Sequence, residues 1–309
     1  MAEQDLLQGG GRMMNLLKII ATFTMLGFFS NANAEGYCND GIIAEEDANG
    51  VITFKGSQEG ANCSFAPDEY TVKIYKMALC TTAPTRPTTT DTYDVSSCVD
   101  VINSPDGQDV NLAAGSEMTL SDVTRPANGS YSYGYILMAN TFGIKAKKQF
   151  ANTMHTYTGG ASGNYCWTKD AAANTSDSDG RGEWDSPSPL AECGGRSGTA
   201  GTYVETLDQF DVGEFTAGPI SVTGGTLSAD LITDADGLLV IGPDSADRLF
   251  GVQTFTSPVV VTSDSSVFTV SFGVNQASSM WMTSQAVPAN QYQVYAIGSG
   301  PFSTFMTVE

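Results

Sequence analysis

Basic residues are scarce in this sequence: 14 Lys and Arg stand against 34 Asp and Glu in 309 residues, with one histidine, His155. A nucleic-acid partner is not expected, because binding phosphate needs a basic footprint. His155 lies in Asn152-Thr153-Met154-His155-Thr156-Tyr157, with no carboxylate or thiol beside it to mark it as a base or ligand. A Ser-His-Asp hydrolase would have to route its proton through that one residue. No G-x-S-x-G elbow supplies a nucleophile, since Gly159-Gly160-Ala161-Ser162-Gly163 sets its serine beside the last glycine. A phosphate-cradling glycine loop, a dinucleotide fingerprint and C-x-x-C spacing are missing as well. Beyond the N-terminal segment there is no sustained 3.6-residue periodicity and no fixed-period repeat.

Long apolar runs are also rare. The one that stands out, Leu16 to Phe29, follows Arg12, is interrupted by Lys18, and ends in Ser30-Asn31-Ala32-Asn33-Ala34. A charged start, an apolar centre and an Ala-x-Ala end predict a cleavable secretory signal over residues 13–34. The run is too short for a membrane-spanning helix, which needs about 20 residues, so no integral anchor is expected after cleavage. Residues 1–12, with Glu3, Asp5 and Gly9-Gly10-Gly11, read as an extraneous or miscalled start. Removing residues 1–34 takes away two acids (Glu3, Asp5) and two bases (Arg12, Lys18), so the formal charge of −20 belongs to the mature chain. Such a surface favours solubility and says nothing about fold.

What is present is β-forming and cysteine-bearing. Cys38, Cys63, Cys80, Cys98, Cys166 and Cys193 all follow the expected cleavage site. In an exported chain an even number favours disulfides, and sequence order suggests Cys38–Cys63, Cys80–Cys98 and Cys166–Cys193 out of fifteen possible pairings. Tyr70 to Cys80 alternates β-formers with lysines and predicts a strand. A Thr/Pro-rich loop follows from Thr81 to Thr92, then short strands at Cys98–Val101, Asp109–Leu112 and Met118–Leu120. Pro126-Ala127-Asn128-Gly129 feeds a strand with Tyr131, Tyr133 and Tyr135, expected to share one packed face. Further strands are expected at Val51–Phe54, Leu238–Ile241, Val252–Phe255, Val259–Val261, Phe268–Val274, Gln291–Ile297 and Phe302–Val308.

The expected fold is all-β: an antiparallel β-sandwich, Ig-like or prealbumin-like, with 35–157 as an N-terminal sandwich and 203–309 completing it or forming a second. Between them, 158–202 is rich in Gly, Ser, Asn and Asp and is bracketed by Cys166 and Cys193, so it reads as a disulfide-closed excursion. Long excursions of this kind are often functional. Its aromatic residues Tyr165, Trp167 and Trp184 are the candidate ligand contacts. Asp177 and Asp179, and Asp234 and Asp236, lie in Asp-x-Asp-Gly sequences that could ligate calcium, although neither fits the EF-hand register and both are equally ordinary turns.

One block carries a resemblance. Tyr70 to Cys80, Cys98, Val110-Asn111-Leu112, Pro126 to Tyr131 and Phe142-Gly143-Ile144-Lys145 resemble a Y-x-V-x-I-x-K-M-x-L-C strand, a second cysteine, a V-x-L strand, a proline-glycine-tyrosine turn and an F-x-I-K ending in uncharacterised exported β-sandwich proteins of marine bacteria. The turn here, Pro126-Ala127-Asn128-Gly129-Ser130-Tyr131, departs from the P-x-G-x-Y pattern, being longer by one residue before the glycine. The resemblance covers residues 70–148 and implies an exported sandwich of structural or adhesive type, with no catalytic residues to carry over. The expected role is thus a secreted or cell-surface structural or adhesive subunit, associating with itself or with other surface proteins. Two alternatives stand beside it: a carbohydrate-binding module that takes glycans, with or without calcium, and a secreted glycoside hydrolase using paired carboxylates.

Overall fold

The computed structural model describes residues 44–55, 62–112, 124–157, 160–174, 190–210, 213–222, 224–234, 236–265, 268–282, 292–300 and 302–308. The expected signal segment, Cys38, Met118–Leu120, Asp177, Asp179 and Trp184 lie outside these residues. Ala34–Glu309 forms one compact unit. The described chain is all-β, and its one helical element is a 3-10 turn at Pro243–Ser245. None of its helices is long and apolar enough to cross a membrane.

The strands in chain order are β1 (Ala44–Glu46), β2 (Val51–Phe54), β3 (Asn62–Phe65), β4 (Glu69–Cys80), β5 (Cys98–Asn111), β6 (Gly129–Lys145), β7 (Lys147–Thr156), β8 (Ser162–Thr168) and β9 (Ala171–Asn174). They continue with β10 (Ala191–Gly194), β11 (Tyr203–Thr206), β12 (Thr216–Val222), β13 (Gly225–Ile232), β14 (Arg248–Val261), β15 (Phe268–Gly273), β16 (Ser278–Met282), β17 (Tyr292–Ser299) and β18 (Ser303–Val308). One eight-stranded sheet runs β1-β2-β7-β17-β16-β3, with β8 on the other flank of β7 and β10 outside β8. In it β2 and β17 lie parallel to β7, and the other pairs are antiparallel. The second sheet is built on β6. β4 and then β5 lie on one side, while β14 flanks its first part and β11 its last part on the other. β13 and β12 follow β14, and β9 runs parallel beyond β11. β15 and β18 form a separate antiparallel pair.

The chain crosses from one sheet to the other at Ala146, the single buried residue between β6 and β7. The described parts of the stretch read as an excursion enter both sheets: β8 and β10 belong to the first and β9 to the second. Its glycines and serines imitate loop composition, yet Asn164-Tyr165-Cys166-Trp167-Thr168 is a half-buried strand.

Three clusters of buried side chains hold these layers. The largest joins Tyr70, Val72, Ile74, Met138 and Phe142 of the second sheet to Tyr295 and Ala296 of β17 and to Phe302. A second belongs to the first sheet and contains Ile52, Phe54, Phe65, Phe150, Met154, Met280, Tyr292, Val294 and Ile297. Tyr292 to Gly298 are all buried because β17 serves both clusters, one from each face. Burying one such side chain is favourable by about 1.5–3 kcal/mol.

The third cluster, with Ala78, Tyr135, Phe250 and Val252, lies under the loop between β4 and β5. That loop, the Thr/Pro-rich stretch of the sequence, is a strap. Cys80–Cys98 closes it at its base, Tyr93 stacks on Phe250 with centroids 4.6 Å apart, and Leu239 donates its N–H to Thr88. Arg86 reaches from the strap to Asp230 on β13, with Nε at 2.8 Å and Nη2 at 2.6 Å from the two carboxylate oxygens. The tyrosines of β6 do not share one face: Tyr133 and Tyr135 join the strap cluster, whereas Tyr131 joins the inter-sheet core and donates its hydroxyl to Ala127.

The edge strand β12 is blunted. Pro219 has no N–H to offer a neighbour, and pairing with β13 shifts between Ala217 and Ile220. Gly218, at φ +89°, has no room for a side chain, because a Cβ there would come within 2.4 Å of Leu227 O.

Candidate functional site

Two of the three proposed disulfides fall within the described residues, and both form. Cys80 sits directly opposite Cys98 on β4 and β5, and Cys166 directly opposite Cys193 on β8 and β10. The pairing of Cys38 with Cys63 lies outside the described residues.

Cys166 and Cys193 anchor one wall of an open concavity of about 440 Å³, lined by Asn49, Gly50, Lys147, Lys148, Gln149, Tyr165 and Arg196. Each side of it has a local cause. Asn49 and Gly50 lie in the β1–β2 turn, where the Asp47 carboxylate accepts the N–H groups of Asn49 at 2.8 Å and Val51 at 3.0 Å. Those two donors hold the Asp47 carboxyl below its ordinary value. Gly50 supplies the left-handed residue of the turn, at φ +76°. Gln149 and Tyr165 are directly opposite on β7 and β8, and the Tyr165 hydroxyl donates to Gln149 Oε1 at 2.8 Å. Arg196 stands in the turn after β10. Lys147 fixes that turn by donating Nζ to the carbonyls of Arg196, at 2.6 Å, and Gly198. The same ammonium lies 5.4 Å from the ring centre of Tyr165 and 5.8 Å from that of Trp167, within cation–π range.

The sequence-predicted contacts separate here. Tyr165 lines the concavity. Trp167 does not: it is 8% exposed, and its indole is pressed so closely by Gly194 and Gly198 that a Cβ on Gly198 would meet it at 2.1 Å. It is a floor that shapes the turn, and Trp184 lies outside the described residues. As for calcium, Asp234 is paired with Arg248 at 2.7 Å, so its charge is already met by a cation. Among the described residues no three acidic, histidine or cysteine side chains cluster as a metal site.

Charge is sorted around this concavity. Among the described residues, Lys55, Lys73, Lys76, Arg86, Lys145, Lys148 and Arg248 each have a carboxylate partner. Four have none: Arg125 and Lys169 away from the concavity, and Lys147 and Arg196, which meet at it. Lys148, its third cation, has Glu46 at 3.4 Å. Sequence reasoning missed these residues, although Lys145-Ala146-Lys147-Lys148 gathers three of the chain's eight lysines into four positions.

A second polar feature lies inside. Glu205 of β11 is 1% exposed, and its carboxylate accepts the N–H of Ser299 on β17, joining the two sheets. Burial raises its pKa above the ordinary value, the Ser299 N–H offsets this in part, and the nearby Asp208 adds to the rise. Tyr70, fully buried beside it, is pushed well up by burial and by the Glu205 charge. A carboxyl whose folded value is raised gives its full stability below the unfolded value and loses it as pH climbs through the folded one. Stability should therefore fall as pH rises above about 4.5, the ordinary value for this group. Glu205→Gln keeps the acceptor for Ser299, so it is expected to flatten that decline. Urea unfolding across mildly acidic to neutral pH measures it, and a slope equal to that of the parent would remove Glu205 as the cause.

No family model matches the chain, no curated protein is similar to it, and no solved structure shares its fold at a significant level.

Proposed function

We propose that this chain is an exported, non-catalytic surface protein of structural or adhesive type. The observation that carries the reading is the pair of cross-strand disulfides, the half-buried Cys80–Cys98 and the buried Cys166–Cys193. Such bridges persist outside the cytosol and are rare within it. They tie down the strap and the β8–β10 wall, which suits a protein that must keep its shape beyond the reach of cellular quality control. The carbohydrate-binding alternative gains from the position of Tyr165 in an open polar concavity. The hydrolase alternative fits less well, because Glu205 and the neighbouring Asp208 are shut in the interior.

Locating the chain in the cells that make it, together with thiol labelling before and after reduction, tests the reading. Oxidised protein at the envelope or in the medium is the expected result. Reduced protein confined to the cytosol would overturn it. Electron microscopy of the purified chain then separates assembling subunits, seen as filaments or sheets, from dispersed adhesive monomers.

A further inference from the structure

We infer that the concavity around Tyr165 binds an acidic saccharide, whose carboxylate or sulfate meets Arg196 and whose hydroxyls meet Asn49 and Gln149. This deepens the adhesive reading and rests on it, since it names what the surface would hold.

The argument begins with the charge balance. In a chain of net charge −20, acidic partners abound, so two cations without a carboxylate in one concavity stand out. Seven of the described basic side chains have taken one. Four have not: Lys169, Arg125, whose guanidinium is taken up by the carbonyls of Ser265, Pro126 and Thr262 and by Asn128, and Arg196 and Lys147, which line the same concavity. Lys147 is engaged by two backbone carbonyls and lies near two aromatic rings, so its ammonium contributes charge while its donors hold the Arg196 turn. Arg196 is exposed, and its guanidinium is the group able to make a paired, two-point contact with a carboxylate or sulfate.

The rest of the lining selects a sugar over other anions. Asn49 and Gln149 offer both donors and acceptors, which hydroxyl groups satisfy from either side. The Tyr165 ring supplies an apolar surface beside them, with its hydroxyl fixed by Gln149. The volume lies within the range of small-ligand sites, about 300–1,000 Å³. An acidic peptide is the competing anion, but tight peptide contacts depend on a desolvated apolar anchor pocket, and this lining is polar. The net charge of −20 disfavours anionic chains where cations are not gathered.

Calorimetric titration of the oxidised protein tests the inference. The probes are an oligogalacturonate, a chondroitin-sulfate oligosaccharide, a neutral galacto-oligosaccharide of equal length and a poly-glutamate peptide. The expected result is binding of one or both acidic saccharides, weakening as salt is raised, with no heat from the neutral one. The first two probes separate carboxylate from sulfate. Arg196→Ala, at an exposed turn position, should lose at least about tenfold in affinity, or 1.4 kcal/mol. Tyr165→Ala should also weaken binding, while Lys169→Ala, a basic residue outside the lining, should not. Equal binding of the neutral sugar, an unchanged Arg196→Ala, tighter binding of poly-glutamate, or no binding of any probe would each overturn the inference. Protein that is oxidised at the envelope yet fails these titrations leaves the adhesive reading standing. Protein that passes them but is reduced in the cytosol overturns that reading alone.

Discussion

Arg86→Met is expected to destabilise the chain by about 3 kcal/mol, the low end of the scale for stranding a buried charge, since Asp230 is buried and Arg86, its partner, is half-exposed. Asp230 is 1% exposed, and Arg86 meets both of its carboxylate oxygens. The same guanidinium also donates to the carbonyls of Ala217 at 3.3 Å and Ala229 at 3.0 Å, so its loss also strips donors from the backbone of β12 and β13. Burial already raises the Asp230 carboxyl above its ordinary value, with Arg86 opposing the rise. Without Arg86 the carboxyl rises further. The loss should then be greatest near neutral pH, where the parent carboxyl is ionised, and shrink in acid as it protonates. Urea midpoints in acidic and neutral buffer measure this. A variant within about 0.5 kcal/mol of the parent, the range of an ordinary surface change, would show that the strap does not depend on this pair. The double variant Arg86→Met with Asp230→Leu should recover much of the loss, because no buried charge is then stranded.

Removing the second disulfide, as Cys166→Ala with Cys193→Ala, should destabilise the chain by roughly 3–4 kcal/mol from loop entropy alone. The bridge closes a separation of 27 residues, and both cysteines are fully buried. This change should also act on the concavity, because β10 leads into the turn that carries Arg196. Removing Cys80–Cys98, which spans 18 residues, should have a stability effect of about 3 kcal/mol and leave saccharide binding intact. Thermal unfolding of both variants beside the same titrations separates the two effects. Equal binding by both would mean that the β8–β10 bridge does not hold the site.

Much of the fold was legible where one rule dominated. β4 falls on Tyr70–Cys80 almost residue for residue, since its first half alternates cleanly: Tyr70, Val72 and Ile74 inward, Thr71 and Lys73 outward. Its second half, Met77 to Cys80, is buried without alternation because the strap covers the outer face there. No local pattern announces a cover that arrives from elsewhere in the chain. Segments read as separate short strands proved continuous. Cys98–Val101 and Asp109–Asn111, without the Leu112 expected to close the second, are the two ends of β5, interrupted by an irregularity around Ser104-Pro105-Asp106-Gly107. Val252–Phe255 and Val259–Val261 both belong to β14. Proline and glycine mark a bulge as readily as a turn. The sequence candidate at Leu238–Ile241 yields only a bridge from Leu239 to Ile232.

The site was half legible. Tyr165 stood out by residue type, but Arg196, Gln149 and Asn49 come from three distant segments and have no spacing that links them. Trp167 misled for a related reason. A tryptophan in Gly-rich surroundings reads as an exposed platform, whereas here Gly194 and Gly198 exist to let the backbone lie flat against the indole.

The burial of β17 on both faces has a kinetic corollary. Tyr292 to Ser299 follow every other strand of their sheet in the chain, yet this strand sits between β7 and β16 and borders two cores. Its parallel partner, Met154 to Thr156, precedes it by well over a hundred residues. Loop closure over such a span must come before the contacts that reward it. A nascent chain that has emerged only as far as β16 holds a sheet with its middle missing and two apolar faces open. Closure of this sheet therefore waits until β17 itself has been released.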